Sequence, residues 1–191
     1  IVFLQEILED IDLVQVSISN EVYEFFYKIT EGLQNFISIL SNTLSDQDRK
    51  KLTDVLSTAG SEHRTNIYSN GFSGEKSPLS ILDLNKFLEI SLIHIDHSIK
   101  SNEREDRLFN AYNLIKFDQN NGISIRYLYE MLEGQVSVLS SKFLKPEKAV
   151  VLLRALRSSS LYREDQQSYI LYPNRRLPHF IEKNIIPNKL A

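Results

Sequence analysis

Apolar residues recur at Leu4, Ile7, Ile11, Val14, Ile18, Val22, Phe25, Ile29, Leu33, Phe36 and Leu40. The steps are all three or four, with a mean of 3.6. That is the period of an α-helix rather than the 3.5 of a coiled coil. One long helix or two in sequence fit it. Ser17-Ile-Ser-Asn20 is the expected break, because Ser and Asn favour caps over helix interiors. Val14, Val16 and Ile18 also alternate, which leaves a short strand as the lesser alternative.

Further along, Ser45-Asp-Gln-Asp48 reads as an N-cap with acids in the first turn, where the helix dipole favours them. The helix it opens is expected to run to Ala59 and stop at Gly60. Residues 60–77 hold Gly60, Gly71 and Gly74 among Ser and Asn, and read as one long flexible loop. Ser77-Pro78 then opens a helix whose face is Ile81, Leu84, Leu88, Leu92, Ile95 and Ile99. Ile90 and Ile93 fall on its other side, so this helix is expected to be central and contacted twice. Residues 103–117 read as a short helix and Asp118-Gln-Asn-Asn-Gly122 as a turn. Ile123–Ile125 has extended character, and Ser124–Ser140 reads as helix, with Gly134 costing about 1 kcal/mol unless a neighbour packs on it. Pro146 suits a first helical turn before Glu147–Ser159.

The pattern changes after Ser160. Residues 161–188 mix Tyr, Arg, Asp and Asn with Pro173, Pro178 and Pro187, and keep no steady apolar period. Such a segment either wraps a helical body or presents a binding surface. Leu161, Ile170, Leu171, Leu177, Phe180, Ile185 and Ile186 would pin it across the bundle, and its prolines would stiffen it at little entropic cost. Lys189-Leu190-Ala191 matches the opening of a common vector-encoded tail and is left out of the fold reading. The fold class expected is therefore all-α. The architecture is an irregular bundle of about six or seven helices over residues 1–160, with an extended Pro/Tyr/Arg-rich tail, 161–188, packed on it.

Composition narrows the chemistry more than the fold. The 191 residues include no cysteine, which excludes disulfides, thiolate metal sites and cysteine nucleophiles. Net charge is −3, which argues against general nucleic-acid affinity. The charge is uneven: residues 1–60 carry ten acids against four bases, the remainder fifteen against eighteen. The most apolar helix, Ile81–Ile99, contains Asp83, Lys86, Glu89 and Asp96, too many charges for a transmembrane segment. No signal peptide is visible, and a soluble, cytoplasmic chain is favoured. There is no glycine-rich phosphate loop, nucleophile elbow or dinucleotide fingerprint, so no cofactor is expected.

Four constellations are candidates for chemistry. His94 and His97 stand one helical turn apart, a spacing that can bind zinc. Both point away from the apolar seam and only His63 and His179 remain to complete a site, so surface or second-interface histidines are the better reading and no metal is assigned. Asp118-Gln-Asn-Asn-Gly-Ile fails as a calcium loop, because Ile123 stands where the turn needs Gly and Tyr129 where a bidentate Glu is needed. Glu130 and Glu133, read as one turn apart on one helix beside Arg126, Tyr127 and Tyr129, are the candidate catalytic pair for acid–base work on a sugar. A solvated acidic face is their ordinary reading. In the tail, Tyr162, Arg163, Asp165, Tyr169, Tyr172 and Arg175, with Asn174 and Arg176, could line a polar ligand pocket.

Two stretches, Tyr127–Ser141 and Leu156–Asn184, resemble segments of very large uncharacterised bacterial proteins, some labelled cellobiose phosphorylase-like. The resemblance covers about the last 80 residues. It implies a helical piece of a carbohydrate-active polypeptide whose catalytic module lies elsewhere, and it carries over no catalytic residue.

Three functions follow as expectations. The first is a non-catalytic structural or interaction domain of a larger bacterial protein, with that protein's other domains, and carbohydrate, as partners. The second is a sugar-processing or sugar-binding site built from Glu130, Glu133 and the tail Tyr/Arg set. The third is a helical adaptor that binds a protein through its acidic N-terminal half.

Overall fold

The computed structural model describes residues 1–10, 12–118 and 122–184. The chain divides into two compact units. The first comprises Ile1–Glu103 and Tyr112–Leu128; the second comprises Arg104–Ala111 and everything from Tyr129.

In the first unit, α1 (Val2–Asp10) leads to β1 (Gln15–Ser19) and α2 (Asn20–Phe36), which ends in a 3-10 turn, Ile37–Ser41. Then come α3 (Asp46–Asn70), β2 (Lys76–Ser80) and α4 (Ile81–Ser101). A hairpin, β3 (Asn113–Phe117) and β4 (Ile123–Tyr127), completes the unit. The turn expected between those strands lies partly outside the described residues, at 119–121.

The alternation at Val16 and Ile18 prevails over the helical period there. β1 pairs antiparallel with β2, placing Val16 opposite Leu79 and Ile18 opposite Ser77. Leu79 is buried beneath this ribbon. The expected helix start at Ser77-Pro78 is thereby corrected. Those residues are strand, and α4 begins at Ile81, where Ser80 Oγ accepts the Leu82 N–H at 3.1 Å. The ribbon also ties both helix starts, since Asn20 N donates to Glu75 O and Ile81 N to Val14 O.

The expected loop at 60–77 is mostly helix. Ser45 caps α3 as expected, its Oγ accepting the Asp48 N–H at 3.1 Å. But α3 passes through Gly60 and stops at Gly71, whose φ of 71° suits glycine. Contacts with α2 beyond Gly60 account for this. Lys28 pairs with Glu62 at 3.0 Å, and Phe25 stacks on His63 with ring centroids 4.6 Å apart. A Cβ at Gly60 would meet nothing within 4 Å. Gly60→Ala is therefore expected to raise stability by about 0.5–1 kcal/mol. Thermal unfolding checks this, and a lowered Tm would contradict it.

α4 packs against α1, α2 and the 3-10 turn, with Ile81, Leu88 and Ile90 buried. The expectation of a helix with two contacted sides holds at Leu88 and Ile90, but Ile93 and Ile95 are exposed. Tyr27 donates to Asp83 Oδ2 at 2.6 Å, bridging α2 and α4. That bond, together with burial, pushes the phenol well above its ordinary range. The hairpin docks on the start of α3. Arg49 Nη1 reaches both Asp46 Oδ1 and the Ile123 carbonyl at 2.6 Å, and Nη2 reaches the Leu44 carbonyl at 3.1 Å.

In the second unit, the segment 104–111 is irregular, correcting the short helix expected over 103–117. The helix expected over 124–140 is likewise divided. Its first part is β4, and only α5 (Leu132–Ser140) is helical. α6 (Pro146–Arg157) has proline in its first turn. A small hairpin, β5 (Tyr162–Arg163) and β6 (Ser168–Tyr169), follows, and α7 (Phe180–Lys183) comes last. The core is Leu108, Phe109, Met131, Val138, Leu152, Leu156 and Leu161, built round the buried Gln135. The Gln135 side chain acts as a strand partner for Phe109. Its Oε1 accepts Phe109 N–H at 2.8 Å, while Nε2 donates to the Phe109 and Met131 carbonyls at 2.9 and 2.8 Å. Gly134 permits that approach, because a Cβ there would lie 3.1 Å from both Phe109 O and Ala111 Cβ.

The protein is thus predominantly helical rather than purely all-α. Seven α-helices and three two-stranded sheets occur among the described residues. Also among these, no helix is long and apolar enough to cross a membrane.

Candidate functional site

The residues singled out as a sugar site fall into three groups, all in the second unit. Glu130 and Glu133 do not share a helix. Met131 is extended (φ −138°, ψ 144°), so Glu130 precedes α5 while Glu133 sits in its first turn. The i,i+3 spacing therefore does not place them side by side. Glu130 faces Arg104 Nη2 at 3.6 Å and accepts Ser160 Oγ–H at 2.6 Å. Glu133 is half-buried and its Oε2 has no hydrogen-bond partner.

Arg104 is the hub of the first group. It forks onto Asp106 through Nε and Nη2, at 2.9–3.1 Å, and Asp106 Oδ1 accepts the Leu108 N–H at 3.1 Å. The guanidinium holds the Asp106 carboxyl below its ordinary range, and the Leu108 N–H adds to this against the opposing effect of burial. A depressed folded pKa means that the stabilisation is present above the unfolded carboxylate range and lost as pH falls through the folded value. The second unit is therefore expected to weaken below about pH 4, and Asp106→Asn to flatten that dependence. Urea unfolding at pH 3 and pH 6 tests it, and parallel pH dependence in both proteins would contradict it.

The tail residues divide further. Tyr162 meets Tyr169 edge-on at 5.2 Å, lies under the Arg157 guanidinium at 3.5 Å and donates to Gln167 Oε1 at 3.0 Å. Arg163 and Asp165 satisfy each other through two bonds of 2.7 and 2.8 Å. Tyr172 and Arg175 instead meet Tyr129, with ring centroids 6.4 Å apart and Arg175 Cζ 4.7 Å above the ring. Each of Tyr162, Arg163, Asp165, Tyr169, Tyr172 and Arg175 thus has a local partner. The expectation that the tail's apolar side chains pin it holds at Leu161, which is fully buried, whereas Leu171 is exposed and is tied only through its carbonyl, which accepts Leu132 N–H at 3.1 Å. It fails at Leu177, Phe180 and Ile181, which are 74–83% exposed. Ile185, Ile186 and Pro187 lie outside the described residues.

The paired histidines are ties between helices. His94 Nε2–H donates to the Leu33 carbonyl at 2.9 Å and His97 Nε2–H to the Asn42 carbonyl at 3.1 Å. Each imidazole thereby satisfies a carbonyl at the C-terminal end of α2 or just beyond it.

A cavity with concentrated charge lies in the first unit, between α2 and α3. The two helices run antiparallel, since Gly32 faces Val55, Lys28 faces Glu62 and Phe25 faces His63. Gly32 and Ala59 are small and buried, which brings the backbones close and leaves longer side chains to line a groove. One part, of about 480 Å³, is lined by Lys28, Glu31, Asn35, Asp54, Thr58 and Glu62 around that small-residue floor. A second, of about 190 Å³, is lined by Glu21, Glu24, Phe25, Lys28, Glu62, His63 and Asn66. Lys28, Ala59 and Glu62 belong to both, so the two are continuous. Five carboxylates line this groove against one lysine and one histidine.

Glu21 stands out among the five. It is 8% exposed, at the first turn of α2. Its Oε1 accepts the Ser73 N–H at 2.7 Å, while the buried Oε2 has no partner. The Ser73 hydroxyl and backbone N–H, then Glu21's own N–H, hold its carboxyl below the ordinary range against the opposing effect of burial. Glu21 is thus a carboxylate tied to the chain after α3 by Ser73, with Oε2 sealed from solvent. The acidic bias of residues 1–60 was visible in the sequence. Its convergence with Glu62 and His63 was not, because that half of α3 reads as loop. No protein-family model and no curated protein matches the chain.

Proposed function

We propose that this chain is a binding module rather than a catalyst: a helical interaction domain of a larger protein that docks a cationic segment of a protein partner in the α2–α3 groove. The observation that carries this is the acidic lining of that groove, five carboxylates against one lysine and one histidine. Exposed apolar side chains support the interaction reading. They include Val2, Phe3 and Leu4 on α1, and Ile115 and Phe117 on β3. Glu130 and Glu133 are unsuited to acid–base catalysis as a pair, since Glu130 is engaged by Arg104 and Ser160.

A lysine-rich peptide is expected to bind with an affinity that falls as salt rises. Glu31→Lys is expected to weaken it about tenfold. Fluorescence anisotropy with a labelled peptide measures both, and no binding at low ionic strength would defeat the reading. The exposed cluster in which Tyr172 meets Tyr129 edge-on and Arg175 lies over the Tyr129 ring favours a second reading, a carbohydrate-contacting face. Titration with cello-oligosaccharides, read at the Tyr129 and Tyr172 resonances, decides it.

A further inference from the structure

β3 is the outer strand of its hairpin, and no third strand joins β3 and β4 among the described residues. The direction of its backbone groups follows from the end of the hairpin. Asp118 N–H donates across to the Gly122 carbonyl at 3.0 Å, and the Ser124 hydroxyl reaches the Lys116 carbonyl at 3.4 Å. Residues 114, 116 and 118 therefore turn their N–H and C=O toward β4. The alternation of an antiparallel ladder turns those of Asn113, Ile115 and Phe117 outward. Such an edge is a template for another strand unless charge, proline or a covering element blunts it. β3 has no proline, and its one lysine, Lys116, is held by Asp118 at 3.6 Å.

The side chains add an apolar margin to that edge. Ile115 and Phe117 share a face with their cross-strand partners Ile125 and Ile123. Ile123 is 1% exposed, whereas Ile115 is 61% and Phe117 70% exposed. β4 is seated on α3 and β3 overhangs it, so the apolar layer begun at Ile123 continues uncovered.

The strand Asn113-Leu-Ile-Lys-Phe117 is complementary to itself. Two antiparallel copies related by a twofold axis at Ile115 set outward residues opposite outward residues, Ile115 against its twin and Phe117 against Asn113. Phe117 then lies diagonal to the second Ile115, which extends one apolar stripe across the axis. On the other face Lys116 falls opposite Leu114, which its aliphatic stem can cover. Moving the axis to Lys116 would oppose the two lysines, and moving it to Phe117 would carry the pairing past the end of the strand.

We propose that β3 is a self-association edge: two copies of this chain pair antiparallel through it, in a twofold register centred on Ile115, to form one four-stranded sheet. This is independent of the α2–α3 groove. One short strand buries less than the about 1,200–2,000 Å² of a standard interface, so the dimer is expected to be weak, with a dissociation constant above about 1 μM.

Sedimentation velocity of the full chain between about 5 and 500 μM is expected to show reversible dimerisation. The exchange protection of the Ile115 and Phe117 amides is expected to rise with concentration. Ile115→Lys, which sets two lysines on the axis from an exposed position, is expected to stay monomeric with an unchanged Tm. The chain has no cysteine, so single cysteines report the register. Ile115→Cys is expected to give a disulfide-linked dimer on mild oxidation, because such opposed residues lie about 5.5 Å apart between Cα atoms, within disulfide range. Lys116→Cys, diagonal to its twin, and Leu82→Cys, exposed on α4, are expected to cross-link at least about tenfold more slowly.

A chain that stays monomeric throughout that range would overturn the proposal, and capture of an added extended peptide at β3 by such a chain would assign the edge to a foreign strand. A dimer unaltered by Ile115→Lys would overturn it by placing the interface elsewhere. A dimer lost in that variant but cross-linked fastest through Phe117→Cys would overturn the register.

Discussion

Gln135→Leu is expected to destabilise the second unit by about 3 kcal/mol, although leucine is apolar and close in volume. The reason is what the amide leaves behind. Phe109 is buried, and both its N–H and its carbonyl find their partner in Gln135. Leucine would leave both unsatisfied in a site closed to water, at about 1–3 kcal/mol each, offset in part by its own apolar burial. Such a loss is a large fraction of a typical domain stability of about 5–15 kcal/mol. Urea unfolding with hydrogen exchange at the Phe109 amide measures it. A loss below about 1 kcal/mol would mean that the 104–111 segment is held by its side chains and not by the glutamine.

Removing the chain after Ser160 is expected to cost more than about 3 kcal/mol, whereas removing it after Arg176 is expected to change stability by less than about 0.5 kcal/mol. Leu161 has no exposed surface, and its carbonyl accepts the Ile170 N–H at 2.8 Å. Leu171 closes onto α5 through the Leu132 N–H. Over residues 176–184 the side chains face solvent, and the capping box that opens α7 joins only His179 and Glu182. The two truncations thus divide the tail into a part that completes a core and a part that does not. Equal melting temperatures for both would show that Leu161 packs without consequence.

The readings that held and those that failed differ in their physical range. Ser45 before Asp48 and Pro146 at a first turn are local devices, acting within three or four residues. The cap at Ser80 was missed only because Ser77-Pro78 offered an earlier start. The failures share another cause. Gly60 reads as a stop because glycine is a poor helix former, yet α2 holds α3 on both sides of it. Residues 76–80 read as a helix entry because their strand partner lies some 60 residues away, in β1. Glu130 and Glu133 read as neighbours because a helix was assumed where Met131 is extended.

The candidate site follows the same division. Sequence alone determined that the chain is predominantly helical, that its first 60 residues are acid-rich, and that cysteine chemistry is absent. These are properties of period and composition, which survive without knowledge of contacts. Tertiary structure decided which charges meet. It set His94 and His97 on backbone carbonyls, divided the tail tyrosines between two clusters, and brought five carboxylates to one groove. A carboxylate's role depends on the donors and dielectric around it, and those come from residues as distant in the chain as Ser73 is from Glu21.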